Sequence, residues 1–261
     1  MGSWRTRAVM GTVAALVMVG AAACATPPPN SGGGGLGTGE GEPTAPAGDD
    51  LVRLNELQFI GTHNSYKSAP DTAIYNWLTL GASAVPQIAG ALGDPAQLNY
   101  AHAALPVQLQ RGVRSFELDI FADPQGGAFS RPLLNSLLNL GLPRPVGVDA
   151  PGMKVLHVQD IDYRSTCPTL VACLGQLKAW SDATPGHLPV VINIELKDDP
   201  LPAPFDGTQL TPFDATQLDA VDAEIRSVLG DRLITPDDVR GGAADLRTAV
   251  TTTGWPTVAD S

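Results

Sequence analysis

The run from residue 112 to 121, Gly-Val-Arg-Ser-Phe-Glu-Leu-Asp-Ile-Phe, restricts what this chain can become more than any other segment. Strand side chains alternate faces, so Phe116, Leu118 and Ile120 share one side while Glu117 and Asp119 share the other. The first set needs a core. The second cannot be buried uncompensated, so a cation or a hydrogen-bond network must lie beside it. Three more short apolar runs read as strands, at residues 57–64, 154–158 and 189–197. Each carries polar residues near its carboxyl end: His63 and Asn64, His157, and Glu195 with Lys197.

Longer segments of helical character separate these runs, at 133–140, 170–181 and, most clearly, 214–229. In the last, Asp214 supplies a start signal and Leu218, Val221, Ile225, Val228 and Leu229 recur at helical spacing before Gly230. A short helix is expected within 95–104. Alternation of strand and helix argues for an α/β fold of βα units around a parallel sheet. Eight such units close a barrel in about 250 residues. Only four strands are legible here, and residues 254–261 read like the lead-in to another. The expectation is a barrel truncated after about four βα units, with sheet edges that a second polypeptide can complete.

Outside that domain, at 51–261, the chain divides into two segments. Arg5 and Arg7 precede an apolar stretch shorter than the roughly 20 residues of a membrane span, which is the pattern of a signal peptide over 1–24. Ala21-Ala22-Ala23-Cys24 resembles a bacterial lipobox, although Ala21 stands where Leu is usual, so Cys24 is the expected site of lipidation. Residues 25–50 are rich in Pro and Gly and lack the apolar content for a core, which makes them a disordered tether. Location on the outer face of a bacterial membrane, or secretion, follows. With Cys24 assigned to lipid, Cys167 and Cys173 remain for a disulfide in that oxidising compartment; the competing reading is a zinc site, with His157 or His187 nearby in sequence. A formal net charge of -11 argues against nonspecific nucleic-acid binding.

The chemistry lies at the strand ends, which form the active face of βα folds. Two histidines stand there, His63 and His157, and imidazole suits proton transfer and charge stabilisation around phosphorus. Asn64, Glu117, Asp119 and Glu195 are hard oxygen donors of the kind calcium takes. A structural network, with Arg114 and Lys197 bridging Glu117 and Glu195, is the competing account of the same carboxylates. His102 and His187 read as ordinary surface residues.

Residues 61–65 (Gly-Thr-His-Asn-Ser), 111–119 (Arg-Gly-Val-Arg-Ser-Phe-Glu-Leu-Asp), the strand ending at His157, and 194–197 (Ile-Glu-Leu-Lys) resemble the catalytic half of the phosphatidylinositol-specific phospholipase C superfamily. The resemblance is strongest to its secreted bacterial calcium-dependent phosphoinositide phospholipases C. It implies a TIM-barrel-like phosphodiesterase domain with Ca2+ held by Asn64, Glu117, Asp119 and Glu195. It further implies His63, His157 and Glu117 in catalysis, Lys197 on the substrate phosphate, and phosphatidylinositol or a related phospholipid at a membrane surface as partner. Diacylglycerol and inositol cyclic phosphate are the implied products. Two alternatives stay in view: a glycerophosphodiester phosphodiesterase, which typically has Arg where Asn64 stands, and a non-catalytic surface lipoprotein with an incomplete barrel.

Overall fold

A computed structural model describes residues 48, 50–84, 93–201, 205 and 207–261. The leader, Cys24 and nearly all of the tether lie outside the described residues. No helix among the described residues is long and apolar enough to cross a membrane.

Four strands form one sheet: β1 (Ile60–Thr62), β2 (Val113–Phe121), β3 (Lys154–Val155) and β4 (Val191–Leu196). The carboxylate-bearing strand β2 is central. Along one edge it pairs in parallel with β4, from Ser115↔Val191 to Ile120↔Leu196. Along the other it pairs in parallel with β1, ending at Thr62↔Phe116, and then with β3 through Ile120↔Val155 and Phe121↔Lys154.

The β3 pairing is antiparallel, which corrects the expectation of an all-parallel sheet. A parallel return needs a crossover, usually a helix laid across the sheet. The 122–153 connection folds back on itself instead. Gly126, at a φ of 76°, passes so close to residues 149–151 that a Cβ there would overlap the Asp149 carbonyl.

Helices α1 (Thr72–Ala84), α2 (Leu105–Gln110), α3 (Leu133–Leu137), α4 (Leu170–Ala183), α5 (Ala215–Leu229), α6 (Pro236–Arg240) and α7 (Leu246–Thr252) accompany the sheet. Residues 95–104 hold a 3-10 turn at Pro95–Leu98 rather than an α-helix. The α3 helix ends earlier than its apolar run, because Asn139 and Gly141 adopt left-handed φ values of 49° and 63°. Caps fix the two longest sheet-covering helices: Thr169 accepts from the Ala172 amide and Asp214 from the Gln217 amide. Each such cap contributes about 1 kcal/mol.

Phe116, Leu118 and Ile120 of β2 are fully buried against Leu105 and Leu109 of α2 and Leu170, Leu174 and Leu177 of α4. Burial of each of the three is worth about 1.5–3 kcal/mol, so the apolar face of β2 anchors the fold. A second cluster gathers Phe121, Phe129, Leu134, Leu156 and Ile161 with Ile74 and Leu78 of α1, next to the carboxyl end of β2. Cys167 and Cys173 are joined as a disulfide at the start of α4. Residues 254–261 do not enter the sheet: Thr257 bridges Arg53, the Leu54 amide donates to the Pro256 carbonyl, and a 3-10 turn follows at Val258–Asp260.

Candidate active site

The first strand stops at Thr62 because Asn64 takes a left-handed φ of 49° and the chain turns across the middle of β2 at Glu117. The turn is docked on Glu117 by its backbone. The Ser65 amide donates to the Glu117 carbonyl, and the Glu117 amide donates to Ser65 Oγ at 2.9 Å. Gln108 of α2 ties the same turn down through Thr62 Oγ1 and the Ser65 carbonyl. The Asn64 amide then donates to Glu117 Oε2 at 2.8 Å, and His63 Nε2 lies 3.4 Å from that oxygen with its ring largely exposed.

On the other edge, the parallel register sets Glu195 beside Asp119 and Asn193 beside Glu117. Registered neighbours in a sheet share a face, so three carboxylates converge. Glu117, Asp119 and Glu195 each offer an oxygen, all within 4.8 Å of one another. Calcium binds oxygens at about 2.3–2.6 Å, so ligands across one ion sit up to about 5 Å apart. The spacing and the all-oxygen chemistry fit that cation.

The Asn64 side chain packs against the same cluster. One of its two polar atoms faces both Asp119 carboxylate oxygens at 3.1 Å and the Tyr66 hydroxyl at 3.2 Å; the other meets the Tyr100 hydroxyl at 2.7 Å. With nitrogen toward Asp119 the amide donates to it.

Lys197 lies two residues beyond Glu195 on the same face. Its Nζ is 2.8 Å from Glu195 Oε1 and 3.2 Å from Asp119 Oδ2. Burial opposes its charge, but the hydrogen bond it donates to Glu195 and the charge of Asp119 outweigh that and hold the ammonium pKa above its usual value. Asp119 is fully buried, and burial lifts its carboxyl above the ordinary range against the pull of Lys197. The structural-network reading is therefore half realised. Lys197 does bridge carboxylates, whereas Arg114 is on the opposite face, donating to the Leu109 and Val113 carbonyls and lying 4.7 Å above the Trp180 ring.

His157 follows β3 and is held from behind. Its Nδ1 is 2.8 Å from Asp162 Oδ2, and Asp162 is in turn ion-paired at 3.0 Å with Lys67 Nζ, both of these side chains fully buried. Lys67 also donates to the Leu98 carbonyl at 2.8 Å and sits 4.5 Å over the Tyr100 ring. A carboxylate that accepts from Nδ1 selects the tautomer and aims Nε2 outward. His157 lines a cleft of about 250 Å³ together with Phe121, Gln159, Glu195, Lys197 and Leu201. His63 and Asn64 do not line that cleft and join the carboxylate cluster through Glu117.

Sequence reading missed Asp162, Lys67, Tyr100 and Asn193. A signal existed for two of them: an aspartate five residues after His157, and a register partner for Glu117 once 189–197 is paired with β2. His102 is more than a surface residue, since its Nε2 meets the His63 carbonyl at 2.9 Å. His187 is structural, with Nδ1 donating to the Leu188 carbonyl, Nε2 accepting from Ser181, and its ring against Trp180.

The family model described as "Phosphoinositide phospholipase C, Ca2+-dependent" matches residues 52–261. Among solved structures, the chain is similar to a Ca2+-dependent phosphatidylinositol-specific phospholipase C from Streptomyces antibioticus, at 23% identity over 77% of this chain and 48% of that one, with a TM-score of 0.43. It is also similar to a calcium-dependent phosphoinositol-specific phospholipase C from a Gram-negative Pseudomonas species. The structure of that protein with myo-inositol aligns at 19% identity over 85% of this chain and 59% of that one, TM-score 0.47. The chain thus spans about half the length of these solved relatives. The comparison with curated proteins gave no match.

Proposed function

Because the chain belongs to the calcium-dependent phosphoinositide phospholipase C family, we propose that it is a phosphoric diester hydrolase that cleaves phosphatidylinositol-type lipids to diacylglycerol and an inositol cyclic phosphate. The observation that carries this reading beyond membership is the placing of His157, backed by buried Asp162, in one cleft with Glu195 and Lys197. Glu117, Asp119, Glu195 and Asn64 are the residues to hold Ca2+. When bound, calcium supplies positive charge at the substrate phosphate and lowers the pKa of the inositol 2-hydroxyl.

The chain's own groups account for the protons. The 2-hydroxyl oxygen attacks phosphorus and its proton passes to Glu117, whose Oε2 is already positioned by the Asn64 amide. The bond to the diacylglycerol oxygen breaks, and His157 delivers its Nε2 proton to that oxygen while Asp162 stabilises the ring charge. His63 and Lys197 stabilise the growing charge on the phosphate oxygens. Among the described residues Lys197 is the cation that bridges Asp119 and Glu195, and it turns from them toward the phosphate as the site fills.

We place the protein at the outer face of the bacterial membrane, anchored through lipid on Cys24, or secreted, with the sheet edge at β4 completed by a second polypeptide. Phosphorus NMR of phosphatidylinositol turnover tests the chemistry. A cyclic phosphodiester signal that needs calcium and is absent for His157→Ala is expected. Cleavage of glycerophosphoinositol in preference to the intact lipid overturns the assignment in favour of a glycerophosphodiesterase.

A further inference from the structure

A second cleft, of about 350 Å³, shares no lining residue with the catalytic one. Its polar wall is made by Ser68, Asp71, Tyr163, Arg164, Ser165 and Arg144, and its rim by the apolar loop 142–146. Ser68 and Tyr163 directly follow Lys67 and Asp162 in the chain, so this cleft adjoins the buried pair that positions His157.

Tyr163 makes the cleft unusual. The residue is 7% exposed, and its hydroxyl is buried with no hydrogen-bond partner among the described residues. Leaving a buried hydroxyl unpartnered is costly, so the fold holds a donor in reserve. Burial first, then the Asp71 carboxylate, push its pKa up to about 12, with Arg164 opposing, which keeps the proton on the oxygen at neutral pH. Both of those charged neighbours line the cleft.

The surrounding charge favours an oxyanion. Arg164 makes no ion pair with the described residues, and Arg144 reaches Asp149 only at 3.4 Å, with both of those side chains more than half exposed. Exposed pairs of that kind are worth little and exchange readily. Asp71 is the opposing charge, and one of its oxygens already accepts from the Ala73 amide at the start of α1. Within the lining two arginines stand with one carboxylate, and the Asp149 carboxylate lies beside Arg144 outside it. Val146 is 90% exposed beside it.

We propose that this cleft binds a phosphate group through Arg144 and Arg164, with the Tyr163 hydroxyl donating to it. Guanidinium forks match phosphate oxygens, and a donor hydroxyl completes the shell. The phosphate belongs either to a soluble ion or to a lipid headgroup, for which the exposed loop 142–146 provides an apolar border. The inference does not rest on the catalytic reading.

The test is run in chelator, where no turnover intervenes, on the full chain. Inorganic phosphate binding is measured by calorimetry, and retention on phosphatidylglycerol vesicles by sedimentation. The expected result is binding that weakens roughly tenfold or more in the Arg144→Ala/Arg164→Ala double variant and severalfold in Tyr163→Phe. Glu195→Gln leaves it unchanged. Phosphate binding without vesicle retention assigns a soluble ligand, and vesicle retention displaced by phosphate assigns a headgroup. Absence of both, equal binding by the double variant, or loss in Glu195→Gln overturns the proposal. The arginines are exposed and Tyr163→Phe keeps its ring, so the thermal midpoints of these variants serve to separate loss of a ligand contact from loss of fold.

Discussion

Replacing Asp162 by Asn separates what the buried pair does for the fold from what it does for the chemistry. The carboxylate and Lys67 Nζ are 3.0 Å apart with no exposed side-chain area. At an effective dielectric of about 20, their attraction is about 5 kcal/mol; measured losses on breaking buried pairs are about 3–5 kcal/mol, because the remaining charge is stranded. Asparagine keeps an acceptor for Lys67, and Lys67 retains the Leu98 carbonyl, so the lower end, about 3 kcal/mol, is expected. That is a large share of a domain's roughly 5–15 kcal/mol. It is read from urea midpoints at unchanged slope. Turnover of phosphatidylinositol should fall by about 100-fold or more, since His157 loses the carboxylate that fixes its tautomer and supports its positive form. Adding Lys67→Met removes the stranded charge, and stability returns to within about 1 kcal/mol of the parent while turnover stays low. The reasoning is refuted if Asp162→Asn costs less than about 1 kcal/mol, or if the double variant regains turnover along with stability.

Three further predictions follow from other contacts. Lys197→Met leaves Asp119 and Glu195 without their bridging cation, so added calcium should raise its thermal midpoint by more than it raises the parent's, while turnover drops; an equal shift contradicts the placing of the cation among these carboxylates. Glu224 has its carboxyl lifted above its ordinary 4.5 by burial, against the Met153 amide and Lys154. The folded state therefore holds the proton more tightly, and stability is lost as pH rises from about 4.5 through the raised value. Glu224→Gln should match the parent at acid pH and gain on it toward neutrality, and a pH-independent difference in urea midpoint would count against this. Reducing Cys167–Cys173, or changing both to Ser, frees a short loop at the start of α4; the expected loss is roughly 2 kcal/mol, and an unchanged midpoint under reductant would show that the loop is held by its other contacts.

Much of this arrangement is legible in the residues because period-two alternation assigns faces. Glu117 and Asp119 fall on one side of β2 and Phe116, Leu118 and Ile120 on the other, as their positions predict, and the helix at 215–229 announces itself through periodicity and a start signal, while 170–183 shows in the sequence as helical character alone. Alternation does not say with whom a strand pairs or in which direction. That is why β3, read as one more parallel strand, turns out antiparallel, its direction set by a connection that folds back instead of crossing over. The run at 57–64 shrank to three strand residues, Ile60–Thr62, its carboxyl end cut where Asn64 turns the chain. Lys67 and Asp162 escaped notice for a different reason. Lysine and aspartate are rarely buried unless paired, and here the partners stand 95 residues apart, a distance at which local sequence carries no signal.

The central claim is that the Glu117, Asp119 and Glu195 cluster holds the calcium on which lipid cleavage at His157 depends. Release of water-soluble inositol phosphate from phosphatidylinositol vesicles, measured across free calcium from chelator upward, tests it most directly when parent and Glu195→Gln are compared. The account predicts no release in chelator, a saturable rise with calcium, and a calcium midpoint displaced upward in the variant. Release that persists in chelator, or a midpoint that Glu195→Gln leaves in place, would contradict it.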